Sequence, residues 1–278
     1  MSLTNRTSLL HLSDTHFGTE QAPVVAALEQ LVREQAPGLA VLSGDITQRA
    51  TRSQFAAARA FVDRLGIARW VVVPGNHDIP LFNLAARAFN PYGRYRAAFG
   101  ADLAPEADTD DWLVLSHKTT RRYRHENGEL SPAQIEQTAQ RLHEAMRRRP
   151  QQLRIVVVHQ PISVPDAADA KNLLHGARAA AAAWSEAGAD LVLGGHIHLP
   201  CVLPLHARGH GEGRMWAVQA GTAVSSRVRY GTANSVNILR PGEAQGDRSC
   251  TVERWDFDTA AARFRLAHTE RLLLARAP

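Results

Sequence analysis

Five short segments of the sequence combine side chains of the types that bind transition-metal ions. In chain order they are Asp14-Thr15-His16, Gly44-Asp45, Gly75-Asn76-His77-Asp78, His159 and Gly194-Gly195-His196-Ile197-His198. Carboxylate, imidazole and carboxamide ligands suit manganese, iron, zinc or cobalt better than an ion that prefers thiolates. If the fold brings the segments together, they predict a metal-dependent activity.

Each segment directly follows an apolar run that predicts a β-strand. The five stretches are LLHLSDTH, LAVLSGD, VVVPGNHD, RIVVVH and LVLGGHIH. In open α/β sheets ligands bind beyond the carboxyl ends of the strands, so we expect these distant segments to meet at one sheet edge. In an extended chain residues i and i+2 point to the same side. This spacing predicts that Asp14 faces an ion together with His16, and His196 together with His198.

Taken singly, these motifs also have ordinary explanations. A lone histidine after a strand is more often a hydrogen-bonding residue than a ligand, and Gly-Asp pairs are common turn signals. Chance does not explain all five in this order, each at a strand end. The glycines before Asp45, Asn76 and His196 also allow sharp turns and a close approach of the backbone to the site.

The elements that must position these residues alternate between strands and helices. The predicted strands are 9–12, 39–42, 70–73, 112–115, 153–158 and 191–193, and the predicted helices are 24–34, 53–65, 132–149 and 176–187. The start of the third helix is well marked, with Ser131 as its N-cap, Pro132 at its first position and Gln134 three residues after the cap. Apolar strands that alternate with helices indicate a layered α/β fold.

Two regions depart from this alternation. Residues 81–99 are rich in Asn, Arg and aromatic side chains, and we expect either a mobile lid or an irregular connection there. From Pro200 onward the pattern is typical of antiparallel strands, at 215–219, 235–239, 250–257 and 262–266. Because no linker or repeat divides the chain, we predict a single domain over residues 1–278.

The composition is that of a globular protein with a basic surface. The 278 residues are 45% hydrophobic and 21% charged, and the formal net charge is +5. A basic surface steers anionic substrates or binds nucleic acid, and the arginine-rich stretches lie at 121–124 and 147–149. Because no nucleic-acid-binding motif is present and cations are favoured at a helix end, we interpret both stretches as solvated charge.

The sequence predicts a cytoplasmic protein. Its first residues lack the features of a signal peptide, and no apolar run approaches the roughly 20 residues that span a bilayer. Cys201 and Cys250 are too few to form a disulfide framework.

The ordered set DxH, GD, GNHD, H and GHxH resembles the calcineurin-like metallophosphoesterase superfamily over roughly residues 9–239. The resemblance implies an α/β fold (α+β by some counts) of four layers, in which two mixed sheets pack as a sandwich flanked by helices. The strands at about 200–278 would complete the second sheet.

The resemblance also implies a dinuclear metal centre. Its first ion would be bound by Asp14, His16, Asp45 and His198, and its second by Asp45, Asn76, His159 and His196. His77 would stay unbound and face the leaving group.

Motif details narrow this resemblance. Purple acid phosphatases carry a Tyr after the GD motif and a GNHE, where this chain has Gln48 and GNHD. The GDxVDRG motif of protein Ser/Thr phosphatases is absent. Lipid A pathway hydrolases typically have Arg at the position of His77, and DNA-repair nucleases carry a longer capping region than remains after Leu199. The chain is most similar to the class III cyclic-nucleotide and glycerophosphodiester phosphodiesterases.

The resemblance therefore implies hydrolysis of a phosphodiester by a metal-bridging hydroxide. Asp45 and His77 would be the catalytic residues, with His77 stabilising or protonating the departing oxygen. Arg227 or Arg229 is a candidate for binding the substrate phosphate. The interpretation that both are solvated arginines on a surface loop has at least equal weight.

Several alternatives stay open. A phosphomonoesterase or a nuclease would use the same ions, and a regulatory protein would hold them without catalysis. We expect a small phosphodiester as the partner, with nucleic acid not favoured, no membrane insertion, and a homodimer as an open option. Weaker candidates for the entrance are Thr47, Gln48 and Asn83, and the histidines that match no motif are His11, His175, His206 and His210.

Overall fold

Twelve β-strands form two mixed sheets in the computed structural model, which describes residues 6–124, 126–205, 215–242 and 248–274. The strands are β1 (Leu9–Leu12), β2 (Leu39–Leu42), β3 (Trp70–Val72), β4 (Ala107–Asp108), β5 (Trp112–Ser116), β6 (Leu153–Val157), β7 (Leu191–Gly194), β8 (Cys201–Leu205), β9 (Met215–Gln219), β10 (Ser235–Pro241), β11 (Ser249–Asp258) and β12 (Arg263–Leu273). The predicted bounds of β1 and β2 are confirmed. Every residue of these two strands is buried, and all of them except His11 are apolar, so an apolar run marks each strand.

Each sheet contains six strands. The order in the first is β12-β11-β10-β1-β2-β3, and in the second it is β4-β5-β6-β7-β9-β8. Strands β1, β2 and β3 run parallel, as do β5, β6, β7 and β9. The carboxyl ends of the parallel strands therefore lie at one edge of each sheet, and the metal-type side chains follow directly after them.

Six α-helices occur within the described part of the chain. They are α1 (Ala22–Gln35), α2 (Arg52–Leu65), α3 (Leu84–Phe89), α4 (Gly93–Phe99), α5 (Pro132–Arg148) and α6 (Ala177–Glu186). The predicted start of α5 is confirmed: the Ser131 hydroxyl accepts the backbone N–H of Gln134, and the Gln134 side chain accepts that of Ser131. Among the described residues, no helix combines the length and the apolar character needed to cross a bilayer.

The two sheets pack face to face, and helices cover their outer surfaces. The core between the sheets includes Leu9 and Val41 from the first sheet and Ile155 and Leu193 from the second. Helices α1 and α2 pack on the outer face of the first sheet, and α5 and α6 on that of the second. The predicted sandwich of two mixed sheets flanked by helices is confirmed.

The prediction for residues 81–99 needs correction. This segment contains the two short helices α3 and α4, and Asn83 caps α3 by accepting the N–H of Ala86. Helix α3 has no buried side chain. The apolar periodicity that identifies a longer amphipathic helix is therefore missing from the sequence.

The strands after residue 200 are divided between the two sheets. Of the strands described in this region, β8 and β9 join the second sheet, whereas β10, β11 and β12 extend the first, where β10 pairs antiparallel with β1. Strand β9 runs parallel to β7, so the antiparallel expectation holds for only part of this region. Local alternation of side chains is the same for either sheet and either direction, so it does not encode these pairings.

Candidate metal centre

The loops that follow β1, β2, β3, β6 and β7 meet at one edge of the sandwich. The N–H of Asp14 donates to the Gly44 carbonyl at 3.1 Å, and that of Gly195 donates to the His159 carbonyl at 2.9 Å. Nδ1 of His159 lies 2.8 Å from the Ser43 carbonyl, a contact that joins the two sheets. The five segments singled out in the sequence therefore come together in one place.

The backbone of this site adopts a conformation that non-glycine residues seldom take. Asp14, His16, Asp45, His196 and His198 have φ values of 54°, 41°, 48°, 73° and 56°. A left-handed φ of this kind costs about 1–3 kcal/mol and is concentrated at functional sites. Asp14 and His16 lie in one group of ligand-type side chains, as predicted, but a tight turn and not an extended chain brings them together. The pairing of His196 with His198 was wrong, because His198 lies with Asp14 and His16 whereas His196 lies with Asp45 and His159.

Two of the neighbouring glycines have no room for a side chain. A Cβ atom on Gly75 would lie 2.1 Å from the backbone nitrogen of Asp45, and one on Gly195 would lie 1.9 Å from Ser13 Oγ. The close backbone approach expected at these positions is confirmed. Any larger residue would push apart the loops that carry the site.

The first group of ligand-type side chains consists of Asp14, His16 and His198. The Nε2 atoms of His16 and His198 are 3.1 Å apart. Oδ1 of Asp14 lies 3.2 Å from Nε2 of His198 and 3.7 Å from that of His16. The three ligand atoms are close enough to share one ion.

The second group consists of Asp45, His159 and His196. Oδ1 of Asp45 lies 3.3 Å from Nε2 of His159, which is also 3.1 Å from Oδ1 of Asn76. The other carboxylate oxygen of Asp45 lies 3.8 Å from Nε2 of His16, in the first group. Asp45 therefore stands between the two groups, where a bridging ligand has to be.

The polar atoms of the site fit bound cations. Nδ1 of His196 is buried and has no hydrogen-bond partner among the described residues. Buried polar atoms are nearly always paired, so this nitrogen lacks a partner that a bound cation would supply. Carboxylate, imidazole and amide donors together fit transition-metal ions such as manganese, iron, zinc or cobalt.

Burial and charge set the protonation of these groups. Burial opposes ionisation of Asp45, but the charges of His159 and other histidines hold the pKa of that carboxyl below its usual range. Burial lowers the pKa of His159, but the charge of Asp45 and a hydrogen bond to it raise that pKa to about 9. Burial and the charge of His159 lower the pKa of His196 to about 4. A cation bound at this site would replace the proton that Nε2 of His159 shares with Asp45, so we expect metal affinity to depend on pH.

Contacts outside the site determine which nitrogen of a histidine faces it. Nδ1 of His159 contacts the Ser43 carbonyl, and Nδ1 of His198 contacts the Arg227 carbonyl. A carbonyl only accepts, so Nδ1 carries a hydrogen in both rings, and Nε2 faces the ligand cluster.

Asp78 ties together the loops after β2 and β3, a role that the sequence analysis missed. Its carboxylate accepts the N–H groups of Gly75 at 2.9 Å, Ile46 at 3.0 Å and Thr47 at 2.8 Å, and also the Thr47 hydroxyl at 2.8 Å. Burial and the charge of Asp45 raise the pKa of Asp78 to about 6. Its place as the last residue of the Gly-Asn-His-Asp motif was the available signal.

His77 lies at the edge of the site. Its backbone N–H donates to Oδ1 of Asp45 at 2.9 Å, its Nδ1 is 3.1 Å from the Gln48 carbonyl, and its Nε2 is 3.3 Å from Nη1 of Arg227. Its ring lies edge-on to that of His16, with centroids 4.9 Å apart. His77 is also within ligand distance of His16 and Asp45. Both of its ring nitrogens have partners in this arrangement.

The two arginines proposed for substrate binding have different surroundings. Arg227 contacts His77 and donates to Oε1 of Gln48 at 2.9 Å. Arg229 donates instead to the carboxylate of Asp169 at 2.9 Å, in an ion pair. Arg227 is therefore the arginine that this structure places beside the ligand cluster.

The remaining weak candidates do not join the ligand cluster. Thr47 is buried against Asp78, and Asn83 caps α3. His11 is fully buried in β1, and His175 is exposed. His206 and His210 lie outside the described residues.

Comparisons with known proteins agree with this geometry. The family described as "Calcineurin-like phosphoesterase" matches residues 7–200. A search of curated proteins found no match.

Solved structures share the fold at low sequence identity. A dimetal phosphatase from Danio rerio is 13% identical with a TM-score of 0.66, over 97% of this chain and 99% of that one. A purple acid phosphatase from yellow lupin (Lupinus luteus) seeds is 10% identical with a TM-score of 0.68, over 95% of this chain and 53% of that one. A putative 5'-nucleotidase from Staphylococcus aureus is 14% identical with a TM-score of 0.55, over 98% of this chain and 55% of that one.

Proposed function

This chain belongs to the calcineurin-like phosphoesterase family, and from that premise we propose that it hydrolyses a phosphodiester with the help of two metal ions. The position of Asp45 carries the proposal, because its two carboxylate oxygens lie 3.3 Å from Nε2 of His159 and 3.8 Å from Nε2 of His16. One carboxylate thus reaches both groups of ligand-type side chains.

We assign the ligands as the two groups suggest. Asp14, His16, Asp45 and His198 would hold one ion, and Asp45, Asn76, His159 and His196 would hold the other. When bound, such ions acidify a water molecule and neutralise phosphate oxygens. Manganese, iron, zinc and cobalt all suit this donor set.

The protein's own groups would act on the substrate from the side of His77. Nε2 of His77 is the ring nitrogen that is not turned toward the Gln48 carbonyl, so it is the atom that would donate to the departing oxygen. Nη1 of Arg227 lies 3.3 Å from that nitrogen and would bind a phosphate oxygen. Together the two residues would orient the leaving group and stabilise its charge.

The motif pattern supports a diester over a monoester. The chain has Gln48 where purple acid phosphatases have Tyr, and Asp78 where they have Glu, and its set of motifs is most similar to the class III cyclic-nucleotide and glycerophosphodiester phosphodiesterases. A cytoplasmic location and a homodimer stay predictions.

The test compares a chromogenic phosphodiester, bis(4-nitrophenyl) phosphate, with the matching monoester. Purified protein is assayed with added manganese and, in parallel, with excess chelator. We expect chelator-sensitive hydrolysis and a higher kcat/KM for the diester. A higher kcat/KM for the monoester would assign the site to a phosphatase. If no divalent metal ion supports hydrolysis of either ester, the proposed activity is wrong.

A further inference from the structure

Two segments beside the metal centre are basic and contain no acidic residue. Residues 79–100 include three arginines, and residues 117–124 include one lysine and three arginines. The segments pack on each other: Nη2 of Arg87 donates to the Arg124 carbonyl at 2.8 Å, and Nη1 of Arg122 donates to the Ala88 carbonyl at 2.6 Å. We call residues 79–100 and 117–124 together the basic platform.

A carboxylate outside the basic platform neutralises part of its positive charge. Glu129 lies 3.1 Å from Arg124 and 3.9 Å from Arg121. The ammonium group of Lys118 instead lies over the ring of Tyr92, 5.2 Å from its centroid. Burial lowers the pKa of Lys118, and the charges of nearby arginines lower it further. Lys118 therefore lies in a region of positive potential, which attracts anions.

The basic platform also exposes three aromatic rings. Phe82, Phe89 and Tyr123 are 77%, 90% and 68% exposed. The guanidinium of Arg49 lies 5.2 Å from the centroid of the Phe82 ring, and that of Arg124 lies 5.9 Å from the Tyr123 ring. Exposed aromatic rings on a basic surface are the combination by which proteins bind single-stranded nucleic acids, since bases stack on the rings and cations follow the backbone.

The basic platform is continuous with the metal centre. One cavity is lined by Asn76 and His77 from the centre, by Leu81 and Arg87 from the platform, and by Arg49 beside them. A strand held on the platform would therefore have a path along which one of its phosphodiesters reaches His77.

We propose that the basic platform binds single-stranded nucleic acid. The bases would stack on Phe82, Phe89 and Tyr123, and the phosphates would follow Arg49, Arg87 and Arg122. Cleavage of the bound strand rests on the proposed function, but binding does not depend on it. The proposal replaces the interpretation of residues 121–124 as solvated charge. A duplex would bind less well, because its bases are stacked internally and cannot reach the rings.

The test measures binding without catalysis. The full chain, in excess chelator, is titrated into a fluorescein-labelled thymidine oligonucleotide of about 12 residues, and anisotropy is recorded at several salt concentrations. We expect binding that weakens with salt. Phe89→Ala and Tyr123→Ala should each weaken it roughly 5- to 100-fold. Arg122→Ala should lower the slope of log K against log salt by about 0.7.

Two matched variants control for net charge and for exposed apolar area. Arg148→Ala removes an exposed arginine from the other arginine-rich stretch, and Leu266→Ala removes a side chain that is 50% exposed on β12. Neither should change binding. The proposal is overturned by absence of binding, by equal losses in the platform and control variants, or by equal affinity for a duplex. Hydrolysis of the chromogenic diester without strand binding would refute this proposal alone, and strand binding without hydrolysis would refute only the proposed activity.

Discussion

Nη1 of Arg227 lies 3.3 Å from Nε2 of His77, and Gln48 contacts both residues. A guanidinium has donors and no acceptor, so Nε2 of His77 accepts in this arrangement, and Nδ1 carries the ring proton toward the Gln48 carbonyl. Arg227 thus occupies the nitrogen that would serve the leaving group. A substrate phosphate that draws Arg227 away would free Nε2 to take up a proton, which it would then give to the departing oxygen, so substrate binding would be coupled to proton transfer.

The first prediction concerns Arg227 itself. Arg227→Ala should lower kcat/KM for the chromogenic diester roughly 10- to 100-fold, because a charge-assisted hydrogen bond to the phosphate is lost. Steady-state kinetics should show most of the loss in KM. Arg229→Ala is the matched control, since Arg229 is already paired with Asp169 and should leave both constants near wild type. Equal losses in the two variants would contradict a specific role for Arg227.

The second prediction separates His77 from the metal ligands. His77→Ala should lower kcat about 10²- to 10⁴-fold, the usual range for loss of a general acid. The metal content, measured by elemental analysis after gel filtration, should stay near two ions per chain if His77 is not a ligand. Loss of an ion in this variant would show that His77 belongs to the group it forms with His16 and Asp45.

The third prediction tests the bridging position of Asp45. Asp45→Ala should remove at least one ion, because the same carboxylate approaches both His159 and His16. Elemental analysis compares this variant with His77→Ala. Although a hydrogen bond of 2.9 Å joins the two residues, the expected results are opposite, with loss of an ion in Asp45→Ala and retention of both ions in His77→Ala. Retention of two ions in Asp45→Ala would exclude the bridging role.

Local sequence patterns predicted the elements whose signals are local. The apolar runs of β1 and β2 marked strands that are buried throughout. Ser131 and Gln134 marked the start of α5, because a capping box involves only neighbouring residues. The assignment of β10 to the first sheet depends on its pairing with β1, more than 200 residues away, and no local pattern contains that information.

The sequence indicated which side chains would lie together, but not the geometry in which they do so. Asp14, His16 and the other ligand-type residues were singled out by their types and their places after strands, and the structure brings them together, while their roles as ligands stay predictions. The left-handed backbone at Asp14 and His16 was not predictable, because non-glycine residues rarely adopt it and a contact with another loop maintains it. Asp78 was missed because its function is to hold backbone N–H groups of a different loop, at Ile46 and Thr47.

The fourth prediction follows from those contacts of Asp78. Asp78→Ala should destabilise the protein by at least about 3 kcal/mol, since three buried backbone N–H groups lose their acceptor. Urea unfolding in excess chelator measures this change separately from any effect of metal loss. Asp63→Ala is the control, because Asp63 forms an exposed pair with Arg59 and should leave the unfolding free energy close to that of the wild type. Similar unfolding midpoints for the two variants would contradict the role given to Asp78.

The fifth prediction concerns His117, which is remote from the ligand cluster. Its ring stacks on Trp184 with centroids 5.6 Å apart, and its Nε2 lies 2.7 Å from the Thr138 hydroxyl. Burial lowers the pKa of His117 to about 4, from 6.5 in the unfolded chain. Between these two values the unfolded chain binds more protons, so stability is fully present above pH 6.5 and is lost as the pH falls toward 4. The loss from this residue is at most about 3 kcal/mol.

The variant His117→Gln should remove that part of the acid sensitivity. Urea unfolding in chelator, at intervals between pH 4 and pH 7.5, gives the unfolding free energy of both proteins. The difference in unfolding free energy between wild type and His117→Gln should shrink as the pH falls. The unfolded wild-type chain then binds a proton at residue 117 that its folded form does not bind, whereas the variant has no ionisable side chain at this position. His11 is buried in β1 and its burial lowers its pKa to about 3, so both proteins keep a residual slope of the same sign. A constant difference across this pH range would show that His117 does not contribute to the acid sensitivity of the fold.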